Sequence, residues 1–283
     1  MKNNISLYIP AYNAEKTIDK SIKSILNQTL KPQEIIVIND SSTDRTLNIL
    51  KNFNEIKIIN NKENYGLAKS RNIALKYSKY DYLASIDSDV ICKKDWLETL
   101  FKTMINKNVD LIGGKLIDKY IKEPANHWRS YYLKQNWGDE YIKNPQFIFG
   151  ANSLLNKKKI NYLNIRYNET FRTNGEDVNF SKILKSKNCN LYYEPKAICY
   201  HHQFDDVLSL SHRHWRYSYY GAGLKKLTII RLIKLIIRQI KVFFTWMYND
   251  LSKKNYHLLK INITISYYFV VLCIKKYFFN VEK

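Results

Sequence analysis

"EIIVI", Glu34 to Ile38, sets four aliphatic residues in succession behind a single acid. A continuous apolar run of this kind is what a strand needs in a parallel sheet covered on both faces. Upstream, "ISLYI" (Ile5 to Ile9) is a second β-rich run closed by Pro10, after which Ile18, Ile22, Ile25 and Leu26 recur at helical spacing. Downstream come a helix-like stretch from about Thr43 to Phe53, the strand "IKII" (Ile56 to Ile59), the helix "LAKSRNIALKYS" (Leu67 to Ser78) and the strand that opens "YLASIDSDVI" (Tyr82 to Ile91). The alternation predicts an α/β fold, a mostly parallel sheet flanked by helices.

Beyond Lys93 the pattern is less regular. Trp96 to Ile105 and Glu176 to Lys187 read as helices, "LIGGKLI" (Leu111 to Ile117) as a strand, and "NLYYEPKAICYHH" as two short strands parted by Pro195. Periodicity assigns nothing to the aromatic segment Lys119 to Phe149. The expected division is a body of residues 1–204 and a helical segment of residues 205–283.

The chain has 283 residues, 45% of them hydrophobic, with a formal charge of +21, so disorder is not expected. Residues 201–283 hold 14 Lys or Arg against 4 Asp or Glu, a net +10, while the first 200 residues carry +11. That balance suits an anionic partner: a membrane surface, a nucleic acid or a phosphorylated substrate. The cysteines, Cys92, Cys189, Cys199 and Cys273, are scattered without metal-ligand spacing and read as reduced thiols inside a cell. "MKNNISLYIP" lacks the features of a signal peptide, so a cytoplasmic body is expected.

In open parallel sheets, ligands bind beyond the carboxyl ends of the strands. The unusual polar residues fall there: Tyr12 and Asn13 after the first strand, Asp40 after the second, the loop leading to Gly66 and Arg71 after the third, and Asp87 with Asp89 after the fourth. Two carboxylates an i, i+2 step apart repel each other unless both face a divalent cation, and oxygen ligands favour Mg²⁺ or Mn²⁺. Solvated turn residues would give the same pattern.

At this point the sequence resembles the family 2 glycosyltransferases. The resemblance rests on "IPAYN" (Ile9 to Asn13), "NDSSTD" (Asn39 to Asp44), "NYGLAKSRN" (Asn64 to Asn72), "DSD" (Asp87 to Asp89), "FGAN" (Phe149 to Asn152), "GEDVNFSKIL" (Gly175 to Leu184) and "YEPKAICYHH" (Tyr193 to His202), in the family's order over about two thirds of the chain. It implies a glycosyltransferase A-type, nucleotide-binding fold and an inverting, metal-dependent transfer of sugar from a nucleotide donor, with UDP best suited. Donor contacts would come from Pro10, Tyr12, Asn13, Asp40, Arg71, Asp87 and Ser88. One departure is Asn39, where the family usually has a first acid before Asp40. Asp89, Asp87 and His201, with His202 an adjacent competitor, would hold Mn²⁺ or Mg²⁺. Asp177 matches the base that takes the acceptor proton, with Glu176 beside it; both acids would also favour a helix start. Asn152 and Trp215 would lie on the acceptor side, although core packing of Trp215 is an equal reading.

In "LTIIRLIKLIIRQIKVFFTWMY" (Leu227 to Tyr248), Arg231, Lys234, Arg238 and Lys241 share one helical face, as in a basic amphipathic helix at a membrane interface. The uncharged run Ile261 to Ile274 would make a helix of about 21 Å against a hydrocarbon core of roughly 30 Å, so attachment without spanning is expected. A helical hairpin packed on the body is the alternative. The acceptor is thus expected to be a glycan or a lipid-linked glycan, at the inner face of the cell membrane. A basic, aromatic nucleic-acid-binding protein is a competing class, but no binding motif supports it, and no nucleic-acid partner is expected. A membrane-bound scaffold with a decayed transferase site is the other.

Overall fold

The computed structural model describes residues 4–220 and 227–280. The stretch "HRHWRYSYYGAG" (His212 to Gly223), basic and aromatic in sequence, runs past the described residues at its end. The chain divides into two units, Met1–Lys119 with Gln135–Gln203, and Tyr120–Lys134 with Phe204–Lys283. Residues 120–134 thus belong with the helical segment rather than with the expected body of residues 1–204.

The first unit begins with the predicted alternation: β1 (Ile5–Ala11), α1 (Ile18–Leu26), β2 (Glu34–Asn39), α2 (Thr46–Leu50), β3 (Lys57–Asn60), α3 (Leu67–Tyr77) and β4 (Tyr82–Ile86). There follow β5 (Val90–Cys92), α4 (Trp96–Lys107) and β6 (Leu111–Asp118). After α5 (Pro124–Tyr132), which belongs to the second unit, come β7 (Ile142–Lys143), β8 (Asn152–Asn156), α6 (Lys157–Tyr162), α7 (Glu176–Ser186) and β9 (Leu191–His201). The nine strands form one sheet in the order β3-β2-β1-β4-β8-β6-β9-β5, with β7 on β9. β1, β2, β3 and β4 are parallel, as expected, and so are β6 and β9. The ladders of β8 with β4 and β6, and of β9 with β5 and β7, are antiparallel, which makes the whole sheet mixed.

The apolar run at Glu34 to Ile38 is unbroken because alternate residues enter two cores. Ile35 and Val37 join Leu7, Ile9, Ile18, Ile22 and Trp96, whereas Ile36 and Ile38 join Tyr8, Ala68, Leu75, Phe180 and Leu184. A fully buried Ile or Leu contributes roughly 1.5–3 kcal/mol, so this double burial outweighs any local preference of the run.

Three local readings change. Pro10 does not close the first strand, which continues to Ala11. β4 pairs with β1 only as far as Tyr8, so Pro10 stands at an open edge on that side, where a missing N–H is tolerated. Pro195 does not divide the last strand either. The register of β9 against β6 slips between Gly114 and Lys115, leaving Pro195 to Ala197 without β6 partners. Finally, two of the scattered cysteines meet: Cys92 and Cys199 face each other across β5 and β9 with Sγ atoms 2.9 Å apart.

The second unit holds α5, α8 (Val207–Tyr220), α9 (Ile229–Ser252) and α10 (Tyr256–Phe279). Its interior is aromatic and stitched by polar bonds. Trp128 meets Trp246 edge to face at 4.8 Å and donates from Nε1 to Asn262 Oδ1 at 2.6 Å. Asn262 donates to Asp250, and Gln239 joins His214 to Ser266. α10 has 24 residues, a length of about 36 Å. By length and composition it is apolar enough to cross a membrane, so the short span expected from the uncharged run alone is corrected.

Candidate active site

Asp40 directly follows β2, with its carboxylate turned toward the start of α3. Oδ1 accepts from Asn61 Nδ2 at 2.6 Å and from the Tyr65 N–H at 3.0 Å, and Oδ2 accepts from the Gly66 N–H at 2.8 Å. Gly66 has φ +89°, and a Cβ there would stand 2.6 Å from the Arg172 carbonyl oxygen, so the turn requires glycine. Three of the four acceptor positions of Asp40 are taken, leaving one on Oδ2.

Arg71, on α3, is the centre of a second cluster and is 1% exposed. Nε donates to Glu176 Oε1 at 3.3 Å, Nη2 to Asp87 Oδ1 at 3.3 Å, and Nη1 to Tyr8 Oη, Ser85 Oγ and the Gly150 carbonyl at 2.8–3.1 Å. The donor contact expected of Arg71 is therefore replaced by internal ones, because its N–H groups are directed at protein acceptors. Gly150 completes the arrangement: its N–H donates to Asp177 Oδ2 at 3.1 Å while its carbonyl accepts from Arg71. A Cβ at Gly150 would stand 2.6 Å from Arg71 Nη2.

This cluster holds more negative charge than one guanidinium offsets. Burial pushes the Glu176 carboxyl up, and Asp177 beside it adds to the rise against the pull of Arg71. Burial also raises Asp177, opposed by the Gly150 N–H and Arg71. Asp87 is raised by burial and by Asp89, with Arg71 again opposing. Glu176 Oε2 is buried without a protein partner, an open acceptor beside Asp177. Such crowding of pushed-up carboxyls is characteristic of sites that handle protons or cations.

His201, the last residue of β9, lies between two acids: Nε2 is 3.3 Å from Asp89 Oδ2, and Nδ1 is 3.4 Å from Asp118 Oδ1. Burial alone would push this imidazole down, but Asp89 and Asp118 outweigh it and lift it to about 9. Of the adjacent histidines it is thus His201 whose ring meets Asp89, while His202 reaches Asp89 through a backbone N–H to its carbonyl at 2.7 Å. Among the described residues, no group of three or more His, Cys, Asp or Glu side chains is placed to hold a metal ion. Asp89 is paired with His201 and Asp87 with Arg71, so these acids are turned to protein partners. Asp118 holds the imidazole from its other nitrogen.

The remaining expected residues divide. Tyr12 is 51% exposed at the end of β1, and Asn13 ties that end to the next loop, its Oδ1 accepting from the Thr43 N–H at 2.8 Å. Pro10 is buried in β1, and the Ser88 carbonyl accepts from Ser21 Oγ at 2.8 Å. Asn152 is fully buried and accepts from Trp96 Nε1 at 2.6 Å, so the acceptor-side position expected for it is corrected to an interior one. Trp215 is likewise interior, stacked on Tyr219 at 5.1 Å within the helical unit, and presents no acceptor surface. Sequence reasoning missed Asp118, Tyr8, Ser85 and Gly150. Asp118 ends an apolar run, the signal that marked Asp40 and Asp87.

Residues 6–175 match the family model described as "Glycosyl transferase family 2". The chain belongs to that family. This family 2 glycosyltransferase is 47% identical over 146 residues to an uncharacterized glycosyltransferase of Haemophilus influenzae, the match covering 50% of this chain and 44% of the relative. It is 38% identical over 112 residues to the Escherichia coli UDP-Glc:alpha-D-GlcNAc-diphosphoundecaprenol beta-1,3-glucosyltransferase WfgD, covering 39% of this chain and 44% of that one. The matched segment spans less than half the length of these curated relatives. Among solved structures, S. aureus TarS 1-349 in complex with UDP shares the fold, with TM-score 0.58 and 18% identity over 77% of this chain and 68% of that one.

Proposed function

We propose that this family 2 glycosyltransferase moves a sugar, with inversion, from a UDP-linked donor to a glycan carried on a lipid diphosphate. The observation that carries the reading is the Gly150 bridge, which joins Asp177 to the Arg71 cluster beside Asp87 and Asp89. The names of two proteins support the partners: WfgD for the UDP-sugar and the diphosphoundecaprenol acceptor, and TarS for UDP.

In this reading Tyr12 stacks on the base, and Asp40 accepts the base N–H at its remaining position on Oδ2. Asp89 and His201, with Asp87 close by, would hold Mn²⁺ or Mg²⁺, which would supply charge stabilisation for the departing nucleoside diphosphate. The acceptor hydroxyl oxygen forms the new bond to the anomeric carbon as the bond to the diphosphate breaks. Its proton passes to Asp177, whose carboxylate burial makes more basic. Glu176 and Arg71 hold Asp177 and Asp87 in place. A lipid-linked acceptor puts the reaction at a membrane surface, and its cytoplasmic side remains part of the proposal.

Titration calorimetry of the purified chain with UDP, with and without Mn²⁺, tests the donor and the metal together. Binding strengthened by the cation and lost in Asp89→Asn is expected. Cation-independent binding, or none, sinks the metal role or the donor.

A further inference from the structure

α9 has three faces. Leu232, Leu235, Gln239, Trp246 and Asp250 turn into the helical unit. A second stripe, Ile230, Ile233, Ile237, Ile240, Phe244, Tyr248 and Leu251, recurs every three or four residues, with each member 49–72% exposed. Beside it Lys234, Arg238 and Lys241 form an exposed basic stripe. From Ile229 to Asn249 there is no acid. α10 adds exposed Ile263, Tyr267, Ile274 and Phe278.

Two occupants could cover such a stripe. Its three-and-four spacing also fits the seam of a coiled coil with a second copy of this chain. Charge decides against that: two copies would bring Lys234 and Lys241 of each chain toward the same residues of the other, with no acid along this stretch to answer them. An anionic lipid surface answers them throughout, since headgroups take the basic stripe while the neighbouring aliphatic stripe enters the acyl boundary. Exposed Phe244 and Tyr248 suit that boundary too.

From this charge pattern we infer that α9 is a docking face for an anionic bilayer and lies flat upon it. Flat attachment rather than crossing follows from the company α10 keeps. Its inward face carries Asn262 and Ser266 in hydrogen bonds, and it packs on α8, which bears His212, Arg213, His214 and Arg216. A bundle with that helix is costly to immerse in hydrocarbon. The inference concerns lipid binding alone and stands apart from the donor and the reaction.

Cosedimentation of the full chain with phosphatidylcholine vesicles, with and without phosphatidylglycerol, tests it. The protein should bind the anionic vesicles and lose affinity as salt rises. Lys234→Glu/Arg238→Glu/Lys241→Glu should weaken that binding about a hundredfold or more. Ile233→Ser/Ile237→Ser/Ile240→Ser should weaken it while leaving the circular dichroism melt in place. Arg231 is spared because it bonds the Tyr219 carbonyl and folds α9 onto α8. Protease added outside should leave no lipid-protected α10 fragment. Failure to bind anionic vesicles, binding unchanged by both triple variants, dimers that form off the vesicles and dissociate in the Ile variant, or a protected α10 would each overturn the inference.

Discussion

Both units bury carboxylates beside arginine, but they balance the charge in opposite ways. In the helical unit Asp205, almost inaccessible, meets two guanidinium groups, Arg129 Nη1 at 2.5 Å and Arg213 Nε at 3.1 Å, while its backbone is clasped by Asn126. In the α/β unit one guanidinium, Arg71, faces Glu176 and Asp87 with Asp177 and Asp89 close by, and Glu176 Oε2 has no protein partner. A saturated acid holds a fold together, whereas an outnumbered cation leaves acceptors for something else to occupy.

The largest expected effect separates these two kinds of cluster. Asp177→Asn removes a carboxyl that burial already disfavours as a charge, and its amide oxygen can still accept from Gly150. Transfer, read by released UDP, should fall about 10²–10⁴-fold. Urea stability should change by less than about 1 kcal/mol, as for a substitution that leaves no unpaired charge. If stability collapses with activity, Asp177 is a structural residue like Asp205 and the contrast fails.

Asp205→Ala should do the reverse. It leaves Arg129 and Arg213 without their carboxylate, and breaking one side of a buried pair costs about 3–5 kcal/mol. That is a large part of a typical domain's stability. A loss below about 1 kcal/mol in urea melts would mean that Asp205 is not the saturated hub its geometry describes.

Much of the first cluster was legible because acids that end apolar strand runs are conspicuous: Asp40, Asp87 and Asp89 all stood out this way. Arg71 was visible as a residue but not as an interior one, since its acceptors Tyr8, Ser85, Gly150 and Glu176 lie up to 105 positions away. Residues 120–134 resisted reading for a related reason. Trp128 and Tyr132 of α5 pack on Trp246, more than a hundred residues further on, so their spacing answers a distant surface and not a local period. The β9 strand misled because Pro195 falls where the register slips, a property of its partner β6.

A pH series sharpens the contrast from the helical side. His214 is buried with its Nε2 2.9 Å from Gln239 Oε1, and burial pushes its pKa down to about 4 from 6.5, against the pull of that bond. A folded-state pKa below the unfolded one means that stability is full above pH 6.5 and is lost as pH falls from there toward 4. Over that window the loss approaches about 3 kcal/mol. Thermal melts of His214→Gln, which keeps a partner for Gln239, should show a flatter dependence between these limits. An unchanged slope would put the titrating group elsewhere.

The smallest effect concerns a residue that is half saturated. Asn152 Oδ1 accepts from Trp96 Nε1 at 2.6 Å, but its Nδ2 is buried without a protein partner. Trp96→Phe would orphan the oxygen as well, at about 1–3 kcal/mol. Two causes predict similar losses, an unpaired amide and the smaller ring, and a double-mutant cycle separates them. If the amide is the cause, Asn152→Leu added to Trp96→Phe should recover part of the loss, because the buried polar group is gone. If packing is the cause, Asn152→Leu should cost the same in the Trp96→Phe background as in the native chain, with no coupling between the two. Partial recovery would rank Asn152 with Asp205, as a group whose worth lies in being satisfied, and apart from Asp177, which meets the same "FGAN" loop through Gly150.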